Sequence, residues 1–154
     1  MAAEKGTKEI VYNRKARHLY HFLEQFEAGI VLTGTEVKSL RGGRCNLVDS
    51  YAQVKGGELY LQGLHISPYE HGNRFNPEPE RSRKLLMHKR EIVKLYGRVK
   101  QEGLTLVPLR LYFKAGKVKV ELALARGKKD YDKRETKRER EAERRIARAL
   151  KERA

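Results

Sequence analysis

At 154 residues, the chain is long enough for one compact domain and too short for two full ones beside the charged segment at its end. A formal charge of +15, with 36% charged and 39% hydrophobic residues, leaves apolar material for a core and points to a polyanionic partner, nucleic acid first. One cysteine, Cys45, excludes an intrachain disulfide and any zinc site needing two thiolates, and no run approaches the ~18 apolar residues of a membrane span.

Residues 1–9 are polar and contain no apolar signal core, so a soluble intracellular protein is expected. Ile10, Val11 and Tyr12 form a short apolar anchor before the basic run Asn13-Arg14-Lys15-Ala16-Arg17, which reads as an electrostatic handle. Leu19, Phe22, Leu23 and Phe26 recur at i, i+3, i+4 and i+7, the spacing of an amphipathic helix. Ala28 to Leu32 is a β-branched apolar run suited to a strand sealed on both faces. Thr33 and Glu36 then match a capping box for a short helix carrying Val37 and Leu40 and stopped at Gly42-Gly43, with Lys38, Arg41 and Arg44 on its outside.

Ser50 to Val54 alternates, Gly56-Gly57 is a two-residue hairpin signal, and Leu59 to Ile66 forms the return strand. From Ser67 to Arg83 the chain is aperiodic and holds three of the four prolines, as a functional or mobile loop would. Lys84 to Met87 is a short apolar run. Ile92, Leu95, Tyr96 and Val99 mark a helix that ends at Gly103, with His88 a candidate N-cap three residues before Glu91. Leu104–Phe113 and Lys117–Ala125 are two strands around Lys114-Ala115-Gly116, and Pro108 places a bulge or edge in the first. From Arg126 onward, thirteen basic and seven acidic residues surround the thin apolar stripe Ala142, Ile146, Ala149 and Leu150. Such a tail is expected to be disordered alone and helical on a partner.

The residues carry little catalytic equipment. There is no phosphate-binding P-loop and no G-x-S-x-G nucleophile turn, and His18 and His21, three apart on a strand, would face opposite ways and share no metal. His65, His71 and His88 sit near no convincing cysteine or carboxylate cluster. Two other readings stay open: a constitutive ribosomal protein, and an RNA-processing enzyme using Glu27, Glu36 or Asp49 around a metal.

Several ordered blocks together carry a resemblance. They are Asn13-Arg14-Lys15-Ala16-Arg17-His18, Phe26-Glu27-Ala28-Gly29-Ile30, Gly34 through Arg41, Arg83-Lys84-Leu85-Leu86, Leu95-Tyr96-Gly97, Gly127-Lys128-Lys129 and Asp132-Lys133-Arg134. In these the chain resembles the small protein B family, the SsrA-binding proteins that partner transfer-messenger RNA. The resemblance implies a mainly β fold with helices, a closed antiparallel barrel of the oligonucleotide-binding type with about six strands over residues 1–125, and a basic tail over 126–154. It turns Leu19 to Leu32 into one long bent strand, against the helical spacing. It implies RNA contacts at Glu27, Leu86 and His88, a position where some members carry Asn, with Arg83 and Lys84 as phosphate contacts. His18 would face the ribosomal decoding centre, while Lys128, Lys129, Asp132, Lys133, Arg134, Ile146 and Leu150 would serve the tail in the messenger channel. The partners implied are the tRNA-like domain of transfer-messenger RNA and the ribosome with its 16S RNA. Neither membrane, cofactor nor catalysis is expected, and the protein would be a cytoplasmic monomer.

Overall fold

The computed structural model describes residues 7–69, 76–128 and 130–152, except for the side chains of residues 130–133, 135, 136 and 152. In chain order the elements are β1 (Thr7–Tyr12), α1 (Arg14–Leu19), β2 (Tyr20–Ile30), α2 (Gly34–Arg41), β3 (Cys45–Asn46), β4 (Tyr51–Lys55), β5 (Glu58–Gln62), β6 (His65–Ile66), β7 (Arg83–Leu86), α3 (Lys89–Glu102), β8 (Thr105–Lys114), β9 (Lys117–Gly127) and α4 (Asp130–Glu152). Six strands form a ring, β8-β4-β5-β7-β2-β9, in which β9 returns to pair with β8. Every pairing is antiparallel. Strand β1 lies along the half of β8 that β4 leaves open: β4 pairs at Leu106, β1 from Arg110 to Lys114.

Two tight turns set the register. At Gly56 and Gly57, φ is 60° and 78°, the left-handed pair a two-residue hairpin needs, and Tyr51 falls opposite Gln62. Ala115 and Gly116 adopt the same region at 51° and 76°, which sets Arg110 opposite Glu121. The return strand ends earlier than the expected Ile66, because Gly63 turns left-handed at φ 80° and separates β5 from β6.

The basic run after Tyr12 is a helix, not merely a handle. Asn13 caps α1 by accepting the Ala16 amide at 3.3 Å, and its side-chain nitrogen donates to the Pro108 carbonyl at 3.1 Å. His18 is therefore helical and His21 lies on β2, so the two do not share a strand. The long strand starts at Tyr20, with Leu19 left in α1. It bends through a bulge between Phe22 and Glu24, and this bulge accounts for the helix-like spacing. Phe26 and Ala28 pack into the ring, whereas Phe22 is displaced to the outer face and Leu23 is 44% exposed. At the end of the apolar run Val31 is 45% exposed, so that run is not sealed on both sides.

The ring interior is filled by Leu59, Leu61, Leu85, Leu106, Leu111, Val120, Leu122 and Leu124, all essentially buried, with Leu40, Ile92 and Leu95 added from the helices. A second, smaller cluster lies outside it, where Ala16 of α1 meets Val107, Leu109, Ala123 and Ala125. Alanine at 123 and 125 leaves room for a helix to approach the sheet closely. Helix α3 ends as expected at Gly103, left-handed at φ 63°, its amide bonded to the Val99 carbonyl. Tyr96 does not join the buried stripe. It is 40% exposed, with the Lys100 ammonium 4.8 Å from its ring.

Candidate nucleic-acid interface

Strands β2 and β7 bring two of the sequence-predicted residues side by side. Gly29 pairs with Leu86, and because side chains alternate, Glu27 and Leu86 stand on the same outer face while Ala28 and Leu85 point inward. Leu86 is 52% exposed. A Cβ on Gly29 would lie 3.2 Å from that of Leu86, so the glycine lets the leucine lie across β2. The two residues border a hollow of about 370 Å³, completed by Leu32, Val37, Lys117 and Lys119. An apolar floor with lysines at its side can take a base or ribose while the ammonium groups neutralise phosphate.

Glu27 is an ionised acceptor at this edge. It accepts a hydrogen bond from the Tyr112 hydroxyl and another from Lys114 Nζ at 3.2 Å. The Tyr112 bond chiefly holds its carboxyl below the usual range. Burial pushes the Tyr112 hydroxyl the other way, and the carboxylate beside it adds to that. Lys84 shares the outer face and sits 3.4 Å from Glu58. His88 occupies the N-cap position of α3, but only its carbonyl bonds into the helix; the side chain is exposed and makes no cap bond.

Arg83, expected among the phosphate contacts, is instead a core residue. It is fully buried, and its Nε donates to Glu36 at 2.7 Å while its terminal nitrogens donate to the carbonyls of Leu64, Arg81 and Pro79. Glu36 is only 3% exposed and is saturated in turn by the Thr33 amide at 2.9 Å, by Arg81 twice and by Arg83. The capping box read from the sequence is thus also the anchor of a buried ion cluster that ties α2 to the end of the proline-rich loop. Burial alone would raise the Glu36 carboxyl, but its donors outweigh that and hold it low. A carboxylate so occupied has no lone pair for a metal, and Asp49 lies apart beside Lys15 at 3.7 Å. Among the described residues, no three His, Cys, Asp or Glu side chains converge as metal ligands.

Two of the residues expected to face the ribosome, His18 and Lys128, lie at a third place, the end of α1. His18 is in the last turn of α1. Lys128 closes that end: its amide donates to Leu19 at 2.8 Å and its Nζ to the Arg17 carbonyl at 3.0 Å. Helix α4 follows and carries the tail, with Arg134 exposed and Ile146 and Leu150, one turn apart, 61% and 65% exposed. Lys129 lies outside the described residues, as do the side chains of Asp132 and Lys133; His71 and Arg74 of the loop are outside them too. No described helix is long and apolar enough to cross a membrane.

Sequence reasoning missed Arg110, Tyr112 and Glu121, which meet on the outer face next to Glu27. A signal for them existed. Counting back from Ala115-Gly116 places 110 against 121, and two polar residues spaced by two on an apolar strand share a face.

The SmpB protein family model matches residues 10–152. An SsrA-binding protein of Desulforudis audaxviator is 60% identical over 152 residues, 99% of each chain. One from Carboxydothermus hydrogenoformans is 62% identical over 146 residues, 95% of this chain and 98% of its own. A solved chain described as "tmRNA-SmpB: a journey to the center of the bacterial ribosome" superposes with a TM-score of 0.65 at 56% identity, covering 78% of this chain and 85% of that one.

Proposed function

The chain belongs to the SmpB protein family, and we propose that it is a non-enzymatic adaptor that binds transfer-messenger RNA and admits it to stalled ribosomes in the bacterial cytoplasm. The observation that carries this reading is the half-exposed Leu86 in a lysine-flanked hollow beside the ionised Glu27, on a protein of +15 charge. Glu27, Lys84, Leu86 and His88 bind the tRNA-like part of the RNA. Cations there supply affinity without sequence choice, and the hollow and the carboxylate discriminate by shape and by ribose or base donors.

In the same reading the chain divides its labour near residue 126. The barrel carries the RNA, while His18, Lys128, Lys129 and the tail residues Asp132, Lys133, Arg134, Ile146 and Leu150 face the decoding centre and the messenger channel. A basic helix with a short apolar edge suits a tunnel walled by RNA.

Leu86→Ala tests the proposal. The side chain is half exposed, so melting temperature should barely move, whereas affinity for transfer-messenger RNA in a filter-binding titration should fall roughly fivefold or more, the loss expected from uncovering part of a leucine. Unchanged affinity would place RNA elsewhere on the molecule. Gly29→Ala should copy the effect more mildly, because its Cβ displaces Leu86 by a few tenths of an ångström.

A further inference from the structure

Past Glu27, away from Leu86, the outer face of the sheet opens into a second cavity of about 520 Å³, between β1, the end of α1 and the middle of β2, β8 and β9. That volume falls within the roughly 300–1,000 Å³ typical of ligand sites. Its floor is built from side chains paired with one another. The Arg110 guanidinium lies 4.5 Å over the Tyr112 ring, Glu121 pairs with that guanidinium, and Tyr112 is bonded to Glu27. Its walls differ, because Tyr12, Arg17 and Gln25 bring hydrogen-bonding side chains that no described residue engages.

Charge decides what such a cavity accepts. Glu9, Glu27 and Glu121 are balanced here by Arg17, Arg110 and the Lys114 ammonium on Glu27, so the lining is close to neutral on a strongly basic protein, and phosphate is drawn to the unbalanced lysines outside it. Aromatic faces at Tyr12 and Phe22 and a fixed guanidinium plane suit a flat π system. Carboxylate and amide oxygens accept from the amino groups that adenine, guanine and cytosine carry on their edges and uracil lacks.

Resting on the RNA-binding reading above, we propose that this cavity receives one unstacked, amino-bearing base, stacked on Tyr12 or Arg110 with its edge toward Gln25 and Glu9. The base comes from the transfer-messenger RNA or from ribosomal RNA. Phosphates flanking it stay outside.

The test compares the wild-type protein with a Tyr12→Ala, Gln25→Ala double variant and with Tyr12→Phe, first on isolated transfer-messenger RNA and then on stalled ribosomes. Both residues are exposed, so the variants should melt like the wild type. In one of the two RNAs, a base protected from dimethyl sulfate or kethoxal by wild type should become reactive with the double variant. Affinity in that complex should fall about tenfold, as loss of one base stack implies, with the salt slope unchanged because no phosphate contact is lost. Tyr12→Phe should retain binding. Wild-type binding with identical protection and affinity in the double variant, or a change confined to the salt slope, overturns the base-pocket assignment alone. Failure of the wild type to bind either RNA removes the adaptor reading and this one with it.

Discussion

Glu36→Ala should destabilise the protein by about 3–5 kcal/mol, measured by urea unfolding, the range for removing one partner of a buried pair and leaving the other charge uncompensated. The substitution would strand Arg83, which has no exposed surface, with its guanidinium facing carbonyls of Leu64, Pro79 and Arg81 but no counter-charge. It would also free Arg81 and remove half of the cap of α2. In an Arg83→Met background the same change should cost far less, because no buried cation remains to be orphaned. Equal losses in the two backgrounds would show that the cluster is not the source of the effect.

The cluster also predicts how stability depends on pH. The Glu36 carboxyl is held below its ordinary 4.5 in the folded state, so the unfolded chain binds the proton more readily. Its contribution is therefore fully present above about pH 4.5 and is lost as pH falls through the folded value. Glu27, lowered by Tyr112, acts in the same direction. Unfolding midpoints should be level near neutrality and drop in acid, and Glu36→Gln should flatten that drop.

Truncation after Lys128 should leave the ring folded and RNA binding largely intact, while peptide tagging on stalled ribosomes falls to background. The cut keeps β9 whole to Gly127 and keeps both bonds from Lys128 to α1. Among the described residues the buried core ends at Ala125, so the cut removes none of its described members. Affinity for RNA should become less salt-dependent if cations of the tail touch phosphate, but it should persist through Glu27, Leu86 and the lysines around them. Loss of RNA binding on truncation, with a normal melting transition, would overturn the division of labour between ring and tail.

Signals contained within a few residues of chain were legible in advance. Thr33 and Glu36 announced a capping box that forms as written. Gly56-Gly57 and Gly103 turn where their missing side chains allow positive φ. Alternation along β9 correctly separated Val118, Val120, Leu122 and Leu124 from the lysines. That Glu27 and Leu86 belong to one surface came through the family resemblance, since the strands that hold them, β2 and β7, are adjacent in the ring but far apart in the chain.

What the sequence determined by itself was the inventory: a basic, cysteine-poor chain with turns and caps at set positions and enough leucine for one core. Those are local or compositional properties, and folding does not change them. The tertiary structure decided which charges face solvent. Arg83 looked like any surface cation until Glu36, 47 residues away, and the Leu64 carbonyl enclosed it. Phe22 looked like one member of a helical stripe until a bulge moved it outward beneath α1. Glu27 looked like a lone acid until Tyr112, 85 residues on, gave it a donor and the floor of a cavity. In each case the partner is remote in the chain, and burial of a charge or the facing of a side chain depends on strand register across the whole ring, which no short window of sequence contains.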